Sequence, residues 1–249
     1  MRVHLVEGEG EPLTGSWSPV PKLEASDRTG MFALLHRCFE GVDPDGFQRD
    51  LEAKDGAVLL HHGDHLVGFS TFSLRGDRDP QGRTVSVLCS GDTIVDPRHW
   101  GSSALGRTLL SAAIDLHQQS GRQSLWWFLI TSGPRTWGVL PTFFRQFHPH
   151  PSLPADPPLQ EWIRRLGEER WPGCLQPGGI IRLASPQRLR PPLDILPAPR
   201  RGDPGLAWYQ GVNPLWREGD ELPSLVHVHP ENLTRAGHRY IGGRFGVET

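Results

Sequence analysis

Apolar residues first recur at helical spacing between residues 26 and 38. Met31, Leu34, Leu35 and Cys38 stand at i, i+3, i+4 and i+7, which predicts a helix capped by Ser26 or Asp27. Residues 1–24, rich in Gly, Pro and Glu, are expected to be irregular, with one short strand at most. "VDPDGFQRDLEAKDG", residues 42–56, predicts a second short helix: Asp43 suits the cap, Pro44 the first helical position, and Gly56 lies just past the end. The pattern then turns extended. "AVLLHH", the turn pair Gly63-Asp64 and "HLVGFSTFSL" predict a hairpin. "RGDRDPQGR" is a second turn, and "TVSVLCSGDTIV", residues 84–95, is a third strand with a bulge expected near Ser90-Gly91. Three consecutive strands with short turns imply an antiparallel meander.

Helical spacing returns after Gly101. Leu105, Leu109, Ala112 and Leu116 form one stripe, widened by Ala113, and Ser120-Gly121 ends it. "SLWWFLI", residues 124–130, is a continuous apolar run, the mark of a strand buried on both faces. Strand, helix and strand make a β–α–β unit, so residues 84–95 and 124–131 should run parallel. "PRTWGVLPTFFRQFHPHP" predicts a short helix that Pro141 opens or kinks, with Phe143, Phe144 and Phe147 turned to the core. From residue 141 onward the chain carries 17 of its 24 prolines. Within that part "LQEWIRRLGEERW" predicts a helix, and "GGIIRLA" and "LPSLVHVH" predict strands. The loop that holds "RLRPPLDILPAPRRGDPG" is long enough to suggest function or mobility.

Composition narrows the class. Of 249 residues, 37% are hydrophobic and 22% charged, which suits a globular chain. The formal net charge of −2 gives no global basic field, so neither nucleic acid nor a membrane is expected as a partner. No run reaches the ~18 apolar residues of a spanning helix, and "MRVHLVEGEGEP" lacks the apolar core of a signal peptide. A reducing cytoplasm is therefore the expected location. Cys38, Cys89 and Cys174 have no metal spacing and are read as free thiols. "HHGDH", residues 61–65, lies on a hairpin turn where alternate residues point to opposite faces, and no bound metal is expected.

The junction "IVDPRHWGSSALGRTLLSAAI", residues 94–114, carries the chemistry. The first amides of a helix lack intrahelical partners, and with the helix dipole they favour an anion. Gly101 lets backbone approach a ligand, Ser102 and Ser103 can cap the helix or donate, and Arg98 adds charge. A phosphate or pyrophosphate suits the turn; an ordinary strand–helix junction with a serine cap fits the same residues. G-x-G-x-x-G and G-x-x-x-x-G-K-[ST] are both absent here.

The order of elements around this turn resembles the GNAT superfamily of acyl-CoA-dependent N-acyltransferases. That family's strand is followed by [Q/R]-x-x-G-x-[G/A] and a helix; the matching residues are Arg98-His99-Trp100-Gly101-Ser102-Ser103, with Ser103 in place of the final Gly or Ala. The resemblance covers about residues 24–148. It implies an α+β fold with a mixed central sheet, an antiparallel meander plus a parallel β–α–β unit whose strands splay, and a C-terminal extension. Residues 1–148 would form the acyl-CoA-binding core, and 149–249 would complete the sheet and cover the acceptor site.

The resemblance further implies that amides from Trp100 through Gly101, Ser102 and Ser103 to Ala104 hold the coenzyme A pyrophosphate beside Arg98. The pantetheine arm would run along Thr93, Ile94 and Val95, with the thioester near Ser90 to Thr93 and Thr131-Ser132. Catalysis of this kind needs a base for the amine and an acid for the departing thiolate. Asp92, the polar outlier of its strand, is the first choice for base or amine anchor; a carboxylate satisfied at a bulge is the structural alternative. Residues 133–148 have no tyrosine to serve as acid, which leaves Ser132, His148 and His99 as substitutes by location, or water. "WYQGVNPLWREGDEL" adds aromatics, Asn213 and carboxylates that suit a cationic acceptor, or else a rigid solvated turn. The expected activity is transfer of an acyl group, most simply acetyl, from coenzyme A to a small-molecule amine or a peptide, by a monomer or homodimer. The alternatives are an inactive acyl-CoA-binding module and an acyltransferase fed by a carrier-protein thioester.

Overall fold

The computed structural model describes residues 3–5, 12–195 and 204–245 of the chain. Its centre is a seven-stranded mixed sheet. In chain order the strands are β1 (Val3–Leu5), β2 (Leu13–Pro19), β4 (Gly56–His62), β5 (His65–Arg78), β6 (Thr84–Val95), β7 (Leu125–Thr131) and β9 (Leu222–His227), and they lie side by side in that same order. Two short strands, β3 (Phe39–Glu40) and β8 (Arg188–Leu189), pair apart from it. β6 and β7 are parallel, and every other pairing in the large sheet is antiparallel.

The meander 56–95, its bulge and the parallel crossover form as the pattern predicts. The bulge sets Thr71 of β5 against Gly91 and Asp92 of β6, because Ser70 pairs with Thr93 but Phe72 with Ser90. One expectation fails at the N-terminus. The N-terminal part, expected to be irregular with one short strand at most, contributes both β1 and β2, and β2 pairs with β4 along all of its length. Gly and Ser there hide the strand pattern, yet Gly15 has a packing reason: a Cβ at that position would overlap Thr108 of the helix above.

Helices cover both faces. On one face lies α3 (Ala104–Gln119), joined by α4 (Pro134–Trp137), α5 (Val139–Phe143), α7 (Pro204–Val212) and α8 (Arg235–Ile241). The other face carries α1 (Ala25–Cys38), α2 (Pro44–Glu52) and α6 (Pro157–Arg170). The α1 stripe is buried as expected, but the cap is Glu24, which exchanges hydrogen bonds with Asp27 in a capping box. Asp43 caps α2 through the Gly46 amide at 2.7 Å. Pro141 falls in the first turn of α5, where its missing N–H costs nothing. The expected strand at 178–184 is not formed: Ile181 alone makes bridges, to Leu175 and Glu221. α7 was not foreseen within the Pro-rich part. Of the loop 186–205, residues 196–203 lie outside the described residues.

Strand alternation assigns each side chain a face. On β7, Trp127 and Leu129 join the α3-side core, while Trp126, Phe128 and Ile130 pack toward α6. On β9, Leu222 and Val226 face α3 and Leu225 faces α6. On β6 the bulge shifts the alternation, so that Leu88 faces α3 but Ile94 joins the α1–α2 core.

Candidate active site

The β6–β7 ladder runs from Ser86–Leu125 to Cys89–Phe128 and then stops. Beyond it β6 continues for six residues, paired only with β5 on its other side. β7 continues to Thr131, paired only with β9. The two strands therefore part into a fork. Trp127 Nε1 donates to Ser90 Oγ at 3.0 Å where they separate. The far prong is fixed: Tyr209 donates to the Thr131 carbonyl at 2.7 Å, and Asn213 Nδ2 donates to the Asp220 carbonyl at 3.0 Å.

Two carboxylates stand on either side of the free end of β7, Asp92 on β6 and Glu221 just before β9. Asp92 shares its face with Ile94, two residues on. Glu221 precedes β9 and shares its face with Leu225, four residues on. Burial pushes the Asp92 carboxyl up to about 7; Asp50 adds to the rise and Lys54 opposes it. Burial first, and then the charge of Asp92, push Glu221 up to about 8. Lys54, only 6% exposed at its side chain, is held by Asp50 at 2.6 Å. Its stem lies against Gly91, where a Cβ would stand 2.8 Å from Lys54 Cε. Glu221 itself is anchored by two 2.9 Å backbone bonds with Ile181. Beside it Asp220 is gripped by Arg182 in a two-point ion pair at 2.7 Å each.

At the end of β6 the chain enters a 3₁₀ turn, Pro97–His99, and then the head of α3. The turn consumes part of the expected cradle. The Trp100 amide donates to Pro97, that of Ser102 to His99, and that of Ala104 to Ser102 Oγ at 3.2 Å. Gly101, with φ +107°, leaves open space where a side chain would point. Among the described residues, the amides of Gly101, Ser103, Leu105 and Gly106 have no acceptor. The set of free donors is thus shifted toward α3 from the expected span. Arg98 faces away from this role: its side chain is committed to Asp96, at 3.1 and 3.0 Å, and Arg37 reaches the same carboxylate. These hydrogen bonds, those from Arg98 first, hold Asp96 down at about 2. Arg135 instead stacks on Trp100 at 3.8 Å, and Tyr240 donates to the Ser103 carbonyl at 2.6 Å.

The residues singled out in the sequence divide by place. Asp92, Thr93, Ile94, Val95 and Ser132 line the two prongs, and Trp100 to Ala104 form the turn below. His148 is elsewhere. It exchanges backbone bonds with Leu225, which pairs with Phe128 on the closed part of the sheet. There it lines a separate cleft of ≈ 550 Å³ with His227 and His229. Burial lowers the affinity of His148 for a proton, and that of His227 down to about 4. No group of three His, Cys, Asp or Glu residues is arranged for a metal among the described residues. Glu221 was visible only as one of several acids in its stretch, since long-range pairing of β9 is what brings it to the fork.

The mixed sheet with its splayed parallel pair is the α+β architecture expected from the element order. No family model matches the chain, and no curated protein matches it. Solved structures that it resembles include a GCN5-related N-acetyltransferase from Kribbella flavida, at 12% identity over 53% of this chain and 34% of that one, with a TM-score of 0.37. An aminoglycoside N-acetyltransferase in complex with CoA is 13% identical over 54% of this chain and 86% of its own, TM-score 0.39. A Trypanosoma brucei acetyltransferase is 18% identical over 57% and 99%, TM-score 0.36. The chain spans about a third of the length of the Kribbella protein and of a similar one from Enterococcus faecalis.

Proposed function

We propose that this protein transfers an acyl group, most simply acetyl, from coenzyme A to an amine. The observation that carries the reading is the continuity of one strand. β6 loses its partner after Cys89 and, six residues later, delivers the chain to a turn with four unclaimed amides. A long ligand with amide groups in its arm and a diphosphate at its end suits that succession: strand-like hydrogen bonds first, then an anion at a helix head. In this reading Gly101, Ser103, Leu105 and Gly106 hold the diphosphate, and the arm lies along Thr93 to Val95. The thioester then emerges between the prongs at Asp92.

Asp92 has no side-chain hydrogen bond among the described residues and is poised near neutrality, which suits a base. Its burial beside Glu221 gives a site that favours a cationic amine over a neutral or anionic acceptor. Much of the rate would come from holding the amine against the thioester. The test is release of free thiol from acetyl-CoA in the presence of a panel of primary amines. The expected result is amine-dependent thiol release with formation of the corresponding amide; thiol release from a carrier-protein thioester alone, or none at all, contradicts the proposal.

A further inference from the structure

The fork raises a question of protons. A departing thiolate needs a proton donor, and the chain has two tyrosines. Neither serves. Tyr209 gives its proton to the Thr131 carbonyl at 2.7 Å, and burial makes it a weaker acid still. Tyr240 lies at the head of α3, donating to Ser103 and stacked on Phe143 at 4.0 Å.

We propose that Glu221 is the acid that protonates the departing coenzyme A thiolate, working with Asp92 as one carboxylate pair across the free end of β7. The inference rests on the acyl-transfer reading above. Its geometry is strand order and face: β6, β7 and β9 are neighbours, Asp92 and Glu221 flank the free end of β7, and alternation from Ile94 and Leu225 puts both on the sheet face that carries α1, α2 and α6. Glu221 stands one residue beyond the Thr131–Leu222 pair that closes the β7–β9 ladder. The backbone around it is pinned by Ile181 and by the Arg182–Asp220 ion pair. The other charges that bear on the pair are Asp50 and Lys54 beside α2. Burial raises both carboxyls, and the charge of Asp92 adds to the rise at Glu221, so the pair holds on to a proton toward neutral pH.

The proton balance closes. Ionised Asp92 takes one proton from the acceptor ammonium, and the amine nitrogen forms a bond to the thioester carbon. As the C–S bond breaks, the sulfur takes the Glu221 proton and leaves as thiol. The new amide nitrogen gives its surplus proton to Glu221, which is thereby restored. Asp92 releases its own to water, so one proton leaves per turnover.

The experiment compares leaving groups. Wild type, Glu221→Gln, Glu221→Asp and Asp92→Asn are assayed with acetyl-CoA and with p-nitrothiophenyl acetate, whose thiolate needs no proton to depart. The acceptors are ethanolamine, spermidine, glucosamine and a dipeptide. Glu221→Gln should lower kcat with acetyl-CoA by about 10²–10⁴-fold with little change in KM, yet stay near wild type with the aryl thioester. Glu221→Asp should recover part of the loss, and Asp92→Asn should be slow with both donors. Equal losses of Glu221→Gln on the two donors, or a loss confined to KM, overturn the role of Glu221 while leaving acyl transfer intact. Absence of thiol release by wild type with every acceptor overturns the parent reading and this one together. Folding is checked separately. A carboxyl raised in the folded state costs stability as pH climbs from its unfolded value toward about 8, so Glu221→Gln should melt no lower than wild type at pH 9. A lower melting temperature there would mark Glu221 as a structural group and contradict the proposal.

Discussion

Asp92 and Asp96 stand four residues apart on one stretch of chain, and their environments drive them in opposite directions. Asp96 is buried but receives Arg98 through backbone and side chain, and Arg37 from α1, and is held at about 2. Asp92 is half-buried, with no guanidinium against it among the described residues, and rises to about 7. Burial alone does not set a carboxylate's role; the partners that enter with it do. Asp96 spends its charge on tying the turn to α1. Asp92 keeps its charge uncommitted at the fork, beside a second carboxylate in the same condition.

The sharpest way to break this contrast is to neutralise each acid in turn. Asp92→Asn should lower kcat for thiol release by about 10²–10⁴-fold with no loss of stability at pH 8, because desolvation and the charge of Asp50 outweigh the attraction of Lys54 and leave the ionised carboxylate disfavoured in the fold. Asp96→Asn should leave kcat within a few-fold of wild type. A reversal of these two results would mean that the bulge carboxylate is structural. Next in size is the turn itself. Gly101→Val must place a branched residue at φ +107°, a strain of about 1–3 kcal/mol, and CoA affinity should fall about tenfold or more by calorimetric titration.

The acid limb of stability sharpens the same comparison. The Asp96 interactions are present above its unfolded value near 4 and are lost as pH falls toward about 2. They should contribute about 1–2 kcal/mol, discounted because the Arg37 and Arg98 side chains are 57% and 76% exposed. Denaturant melts of wild type and Asp96→Asn should therefore differ at pH 6 and converge near pH 2. The smallest effect is at the far prong. Tyr209→Phe removes the bond to the Thr131 carbonyl and should cost about 1 kcal/mol, with a modest rise in KM for acetyl-CoA as the prong loosens.

Much of the frame was legible because its signals are local. The α1 stripe, the Asp43 cap, the Gly63-Asp64 hairpin, the Ser90-Gly91 bulge and the doubly buried run 125–130 each lie within a dozen residues. Asp92 was legible for the same reason, as a lone acid on an apolar strand. What escaped depends on distant partners. β2 is a strand because β4 pairs with it and α3 presses on Gly15, not because its own Gly and Ser residues favour extension. Arg98 reads as a free cation until Asp96 claims it and Arg37, 59 residues from that carboxylate, joins them. Glu221 is one acid among several until β9 lands beside β7. His148 lies close in sequence to the fork's second prong, yet its bridge to Leu225 holds it beside the closed part of the ladder.

The central claim is that the open edge of β6 and the head of α3 together hold coenzyme A. Melting curves with coenzyme A and with pantetheine, which lacks the diphosphate, test it most directly. The account predicts stabilisation by coenzyme A of about 2.7 kcal/mol at a hundredfold excess over its Kd, lost in Gly101→Val, and little from pantetheine. No shift with coenzyme A, or an equal shift with pantetheine, would contradict it.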